Sequence, residues 1–319
     1  MNRVLLTDKI AEDAVRVLES FGGIEAVRTG TPGHDELLAM IPGFDAIIVR
    51  SPTKVTADVI ERGAKLRFIG RAGVGVDNID VGAATRRGVV VINSPRSNTV
   101  STAEHTMAMM LAVARDLPRA HASLTAGRWE RDSFRGVELC EKTLGVVGLG
   151  RVGREVAVRA MAFRMRVLAS DPFITPDQAA RFGVTMVPLD ELIRSSDWIT
   201  VHVPLDGQTR GMLGEKEIAA MKDGVVIVNC ARGGVVDEAA LVKALDRGKV
   251  AAVAFDVFEH EPPAENPLLR HARSVFTPHL GAATIDAQRR VATDVAESIG
   301  LALARGEIRD AVNAPAAGG

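Results

Sequence analysis

The stretch Thr143-Leu-Gly-Val-Val-Gly-Leu-Gly-Arg-Val-Gly153 decides the fold. An apolar run, Thr143 to Val147, leads into glycines at 148, 150 and 153 and a helical pattern. A second apolar run, Arg166 to Ser170, then closes on Asp171. Strand, glycine turn, helix, strand and terminal acid is the order of a dinucleotide-binding βαβ unit. The three glycines serve different ends. Gly148 makes the tight turn, Gly150 lets backbone approach a pyrophosphate, and Gly153 lets helix pack on strand. The N–H groups opening the helix at Arg151 and Val152 face that anion. Asp171 lies 18 residues past the third glycine, placed to accept both ribose hydroxyls of NAD and to repel the 2′-phosphate of NADP. The glycines alone also fit a plain Gly-rich turn; the flanking strands and the spaced acid disfavour that reading.

With 319 residues the chain has room for one large or two medium domains. Hydrophobic residues make up 47% and charged residues 25%, as in an ordinary soluble globular protein. A net charge of −1 gives no general attraction for nucleic acid or an anionic membrane, and 4% aromatics leave little for base stacking. Cys140 and Cys230 suggest neither a disulfide framework nor a zinc site, so no metal is expected. The opening MNRVLLTDK becomes charged too early for a signal peptide, and no apolar run reaches membrane-spanning length. A reducing cytoplasm is the expected setting. The chain has no tyrosine, which excludes oxidoreductases built on a Tyr–Lys acid and leaves proton transfer to His, Asp, Glu, Lys or Cys.

Short β-branched runs alternate with helix-like stretches throughout. They fall at residues 3–7, 24–28, 45–50, 66–70 and 89–93, then at the glycine unit, then at 184–187, 198–204, 225–230, 250–255 and 274–277. Such alternation predicts doubly wound parallel sheets, and about eleven strands are many for one sheet, so two α/β domains are expected. After Asn93 comes the turn-rich Ser94-Pro95-Arg96-Ser97-Asn98. A helical pattern over 100–117 follows, with Ala103, Met107, Met110, Leu111 and Ala114 on one stripe, and a second spans 284–305. These predict two crossing helices that join the domains, with residues 95–281 as the nucleotide domain inserted into a first domain of 1–94 and 282–319. The tail at 313–319 reads as the start of a linker.

The first domain carries a second glycine run, Gly73-Val74-Gly75-Val76-Asp77-Asn78, without a third glycine or a spaced acid. Dinucleotide binding is not expected there, but a Gly-rich loop at a strand's carboxyl end is where open α/β sheets place ligands. Arg50 and Arg71, each at a strand end, would put two cations on that rim and favour an anion.

Three further residues follow candidate strands of the nucleotide half: Arg232 in NCARGGVVDE, Glu261 in AFDVFEHEPP and His279 in FTPHLGAAT. Parallel strands direct all three to the edge that carries Gly148. Taken singly, Arg232 fits a helix-end contact, Glu261 a solvated loop acid and His279 a packed turn. Together they suit interconversion of a 2-hydroxy and a 2-keto acid: a histidine to move the proton, a carboxylate to orient it, and an arginine to clamp the substrate carboxylate. His202 and His105 lack such partners in the sequence and read as structural, and Cys230 reads as packing.

These residues give the chain a strong resemblance to the D-isomer-specific 2-hydroxyacid dehydrogenases. It extends through IVRSPTKVT, GRAGVGVDNID, NTVSTAEHT, GRWERDSFRGVEL, GLGRVGRE, VNCARGGVVDE, AFDVFEHEPP and TPHLGAAT. RSPTKVT, the WER segment and the final VNAP point to the phosphoglycerate branch. The resemblance implies a Rossmann NAD-binding domain inserted into a flavodoxin-like substrate-binding domain, with Arg232, Glu261 and His279 catalytic. It places NAD on Gly148, Gly150, Arg151, Val152, Gly153, Asp171, Val203, Cys230, Ala231, Arg232, Asp256, His279, Gly281 and Val74. Arg50, Ser51, Arg71, Gly73, Asn98 and Arg131 would line the substrate pocket. Val74 and Val203 depart from the threonines many of that branch carry, which removes any hydroxyl contact there.

The implied reaction is NAD-dependent oxidation of D-3-phosphoglycerate to 3-phosphohydroxypyruvate, a step in serine biosynthesis, by a homodimer paired through the nucleotide domain. The regulatory domains that often follow the catalytic unit are not in this sequence, so serine feedback is not assumed. Other readings are a glyoxylate or hydroxypyruvate reductase, another D-2-hydroxyacid dehydrogenase, or, from a different class, an NAD-sensing corepressor-like module.

Overall fold

Along Val225–Asn229 alternate side chains feed two different cores: Val225 and Ile227 enter one, Val226 and Val228 the other. The same split divides Val146 from Val147, and Val4 and Leu6 from Leu5. A strand that is apolar on both faces must be covered on both, so its sheet lies between two helical layers. That is the architecture of the computed structural model, which describes residues 1–313; the tail at 314–319 and the last two residues of VNAP lie outside the described residues.

The chain divides into two compact units, one of Met1–Asn98 plus the chain from Ala282 onward, the other of Thr99–Gly281. The first unit holds β1 (Asn2–Leu6), β2 (Ile24–Arg28), β3 (Ala46–Val49), β4 (Phe68–Arg71) and β5 (Val90–Asn93). They form one parallel sheet in the order β2-β1-β3-β4-β5, the flavodoxin-like order. The second unit holds β6 (Thr143–Val147), β7 (Arg166–Ser170), β8 (Thr185–Met186), β9 (Trp198–Val201), β10 (Val225–Asn229), β11 (Val250–Phe255) and β12 (Val275–Phe276). Their order is β12-β11-β10-β9-β6-β7-β8, all parallel. The order reverses at β6, which sits between β9 and β7, so the glycine turn opens at the switch point where such sheets bind ligands.

The last residues of six strands stand in one paired row: Ser170, Val147, Val201, Asn229, Phe255 and Phe276. The residue that follows each is therefore delivered to a common carboxyl edge, namely Asp171, Gly148, His202, Cys230, Asp256 and Thr277.

Three expectations need correction. The helix predicted over 100–117 is two helices, Thr99–Ala114 and Leu117–Thr125. Asp116 between them takes a left-handed conformation, and Pro118 has no N–H with which to continue the first. Strand 198–204 ends at Val201, because the chain turns away at His202 and Pro204 cannot donate to a ladder. The first unit extends to Asn98 rather than to residue 94. Ser94 and Ser97 both donate to Asp294 of the helix Ile285–Arg305, and Arg290 of that helix donates to the Ser97 carbonyl, which ties the turn into this unit. The helix Ile285–Arg305 itself starts where its signal lies, with Thr284 capping the Ala287 N–H and Gly306 ending it at φ +68.

Candidate active site

What a methyl group would strike at each position separates the roles of the loop glycines. At Gly148, where φ is +90, a Cβ would lie 2.7 Å from the His202 carbonyl oxygen and 2.8 Å from Val203. At Gly153 it would lie 2.1 Å from the Gly148 carbonyl oxygen, so helix Arg151–Ala162 could not sit so close to the turn. At Gly150 it would meet nothing within 4 Å. Two of the glycines are thus demanded by the protein's own packing, while the middle one faces open space at a helix N-terminus, which suits a pyrophosphate. Val152 packs partly into the core beneath, and Arg151 is exposed.

Asp171 does more than end β7. One carboxylate oxygen accepts the Leu149 N–H at 2.8 Å and the other accepts the Phe173 N–H at 2.8 Å, so the acid also holds the glycine loop in place. Each oxygen keeps a further acceptor position for a ribose hydroxyl.

The three catalytic candidates follow β10, β11 and β12, which are neighbours in the sheet. His279 Nδ1 lies 2.8 Å from a carboxylate oxygen of Glu261, and the other oxygen of Glu261 accepts the Phe258 N–H at 3.1 Å. An acceptor at Nδ1 places that nitrogen's proton on the carboxylate side, so neutral His279 presents a bare Nε2. Glu261 raises the His279 pKa above its ordinary 6.5, the hydrogen bond outweighing the opposing effects of partial burial and the Arg232 charge. Burial opposes ionisation of Glu261, but His279 and the Phe258 N–H bring its pKa below the ordinary 4.5. The imidazole is half-buried and keeps access to a substrate.

Arg232 is held from behind. Asn229, buried at the end of β10, donates from its side-chain amide to the Arg232 carbonyl at 2.9 Å and accepts the Ala231 N–H at 3.0 Å. At Gly233 a Cβ would fall 1.9 Å from the Phe258 carbonyl oxygen, so the Arg232 turn rests directly on the Glu261 loop. Burial, with help from Asp256, drives the Cys230 thiol up to about 12, so it stays protonated and inert at neutral pH.

Asp256 is the fully buried centre of this edge. It accepts the Leu280 N–H at 2.7 Å, the Gly281 N–H at 2.8 Å and the Thr277 hydroxyl at 2.5 Å. His105 belongs to the same cluster, which overturns the reading that it lacks partners: its Nε2 lies 3.0 Å from Thr277 Oγ1 and 3.3 Å from Asp256. His202 keeps its structural reading; its Nε2 meets Thr200 at 2.9 Å, and burial lowers its pKa to about 3, so it is neutral.

In the first unit, Arg50 follows β3 directly and Arg71 ends β4, with Val49 paired to Arg71. Arg71 donates to Ser51 Oγ at 2.8 Å, and its guanidinium occupies the space a side chain at 73 would need, with a Cβ there only 1.3 Å from Nη1. Buried Asp8, which carries no signal in the sequence, fixes this rim by accepting the Arg50 N–H and the hydroxyls of Thr31 and Thr53. The Val74 carbonyl accepts from Asn93, and Asn98 closes the unit. Arg131, also expected to line the substrate pocket, belongs to the second unit and lies exposed on its short helix Arg131–Ser133.

A family model, D-isomer specific 2-hydroxyacid dehydrogenase, NAD binding domain, matches residues 107–281, more than half of the chain. The chain belongs to this family. Its sequence is 51% identical, over 98% of its length, to a protein of Archaeoglobus fulgidus named D-3-phosphoglycerate dehydrogenase, of which it covers 59%. The chain thus spans about three fifths of the curated relatives it matches. Among solved structures, a glyoxylate reductase from Paecilomyes thermophila aligns with a TM-score of 0.89 at 33% identity, covering 98% of both chains. A D-lactate dehydrogenase from Aquifex aeolicus, complexed with NAD and lactic acid, aligns with a TM-score of 0.85 at 29% identity, over 98% of this chain and all of the other. The matched model is of an NAD binding domain, so NAD is the dinucleotide of the Rossmann unit.

Two outcomes follow from the geometry. Gly150→Ala should leave the denaturation midpoint close to wild type but weaken NAD binding at least about tenfold, as read by titration calorimetry, because a methyl group there meets only ligand. Gly153→Ala should instead cost about 1–3 kcal/mol of stability in chemical unfolding. The second concerns pH. If His279 donates the proton in reduction of a keto acid, that rate should fall as pH rises through the raised His279 pKa. Glu261→Gln should move that fall to lower pH; an unmoved profile would contradict the pairing.

Proposed function

We propose that the chain oxidises D-3-phosphoglycerate to 3-phosphohydroxypyruvate with NAD, reversibly, as a step towards serine. The observation that carries this is the His279–Glu261 pair at 2.8 Å beside Arg232, on the edge that carries the glycine loop. It is supported by the similarity to relatives of that name.

When bound, NAD supplies the acceptor for the hydride leaving C2. The chain's own groups do the rest. His279 takes the C2 hydroxyl proton on Nε2, and Glu261 holds Nδ1 and stabilises the resulting imidazolium. Arg232 clamps the substrate carboxylate and polarises the oxygen that becomes the ketone. Arg50, Ser51 and Arg71, with Gly73, Asn98 and Arg131, take the phosphorylated end. Backbone of 230–232 and of Gly281, with Val74 and Val203, completes the dinucleotide contacts. His279→Ala should lower the rate by about 10²–10⁴-fold.

The family likeness also supports a homodimer through the nucleotide unit. Trp129 is 83% exposed, and Leu117, Leu124 and Val137 of the same segment are more than half exposed. So much apolar surface in one segment is what a second copy would cover. No helix of the described residues is long and apolar enough to cross a membrane, and they hold no cluster of His, Cys, Asp and Glu suited to a metal.

Steady-state assay should give a kcat/KM for D-3-phosphoglycerate at least about 10²-fold above that for D-glycerate or glyoxylate, with Arg50→Ala and Arg71→Ala erasing most of the difference. Equal turnover of phosphorylated and unphosphorylated acids would favour the glyoxylate-reductase reading instead. Light scattering should show a dimer that Trp129→Glu dissociates; an unchanged mass would remove this segment from the interface.

A further inference from the structure

We propose that His105 is a positioning residue for proton transfer: through Thr277 and Asp256 it holds the backbone that aims His279. The proposal rests on the hydride-transfer reading above, whichever 2-hydroxy acid is the substrate.

His105 stands on the helix Thr99–Ala114, whose Ala103, Met107 and Met110 enter the core. Its Nε2 contacts groups 151 and 172 residues away in sequence, Asp256 at 3.3 Å and Thr277 Oγ1 at 3.0 Å. The direction of these bonds follows from counting protons. Thr277 has one hydroxyl proton and directs it at Asp256, 2.5 Å away, so towards His105 it can only accept. His105 must then carry a proton on Nε2 and act as the donor, whether the ring is neutral or charged.

That donor braces a clamp. The Asp256 carboxylate holds Thr277 on one side of His279 and the N–H groups of Leu280 and Gly281 on the other. The His279 N–H itself donates to the Asp256 carbonyl at 2.8 Å. Between these fixed points His279 has φ +55, a left-handed conformation that costs a residue with a side chain about 1–3 kcal/mol and persists only where the surroundings impose it. His105 ties the clamp to a separate helix, so the loop is held from the core and not only by its own neighbours. A misplacement of about 1 Å at the reacting group can cost about 10²-fold in rate.

The test uses the full chain with three substitutions. His105→Leu removes the donor, Thr277→Val removes the hydroxyl it meets, and His105→Gln keeps an N–H of similar reach. The Leu and Val variants should lose about 10–100-fold in kcat with KM for NAD within a few-fold of wild type, and the Gln variant should recover most of the loss. A second readout needs no turnover: NMR titration of His279, which faces Glu261, Asp256 and Arg232. Its raised pKa should fall towards the ordinary value in the Leu and Val variants and stay raised with Gln. Unchanged kcat and titration in the Leu or Val variant would overturn the proposal, as would equal losses for Leu and Gln, which indicate packing alone. If the wild type turns over no 2-hydroxy acid, the functional reading fails while the His279 titration still decides the role of His105.

Discussion

The chemistry of this chain depends on register. Six parallel strands of the nucleotide unit end in one row, and each hands its next residue to the same edge. A slip of one residue in any of β10, β11 or β12 would turn its side chains to the opposite face and withdraw one candidate catalytic group by about 3.3 Å. Register of β10 and β11 is secured because both of their faces are buried: Ile227 and Val253 lie in one core, Val228 and Ala254 in the other. Exposing a side chain of that size costs about 1.5–3 kcal/mol, so no alternative pairing competes. The hydrophobic sandwich therefore sets the geometry of the polar edge.

Two carboxylates divide the work at that edge according to exposure. Asp256 is fully buried, and hydrogen-bond donors surround it, so its charge is spent on backbone and on Thr277 and His105. Glu261 is only partly buried, anchored by one N–H, and keeps an oxygen for His279. Exchanging the roles would fail on both counts. A half-exposed acid would hold the loop against water weakly, and a fully encircled acid would have no lone pair left to orient an imidazole.

Much of this was legible in the residues because its causes are local. A run apolar on both faces, a glycine beside a strand end and an acid closing the next strand each announce themselves within a few positions, and β2, β6, β7 and β11 occupy the residues predicted for them. What stayed hidden depends on contacts distant in sequence or on single dihedrals. His105 looked idle because its partners lie more than 150 residues away. The break at Asp116 turns on one left-handed residue before Leu117-Pro118, while the apolar stripe runs on without a visible gap. Asn229 and Asp8 escaped notice for a similar reason: each satisfies backbone donors of a turn and leaves no periodic signature. Gly233 did carry a signal, since two successive glycines after Arg232 suggest a close backbone approach, but only the structure names Phe258 as what is approached.

Asp171 does more in the structure than its local signature suggests. Its place at the end of β7 suggests an acid waiting for a ribose. Both of its oxygens already hold backbone, at Leu149 within the glycine loop and at Phe173 just beyond β7. One side chain thereby both shapes the loop and would meet the sugar of a bound dinucleotide. Two ribose hydroxyls would add donors to oxygens that still have room for them. A 2′-phosphate would bring acceptor oxygens and negative charge to a carboxylate whose position the Leu149 N–H fixes, and the acid could swing away only by releasing the glycine loop. Any discrimination by Asp171 against a phosphorylated dinucleotide would therefore draw on the integrity of the glycine turn as well as on charge repulsion.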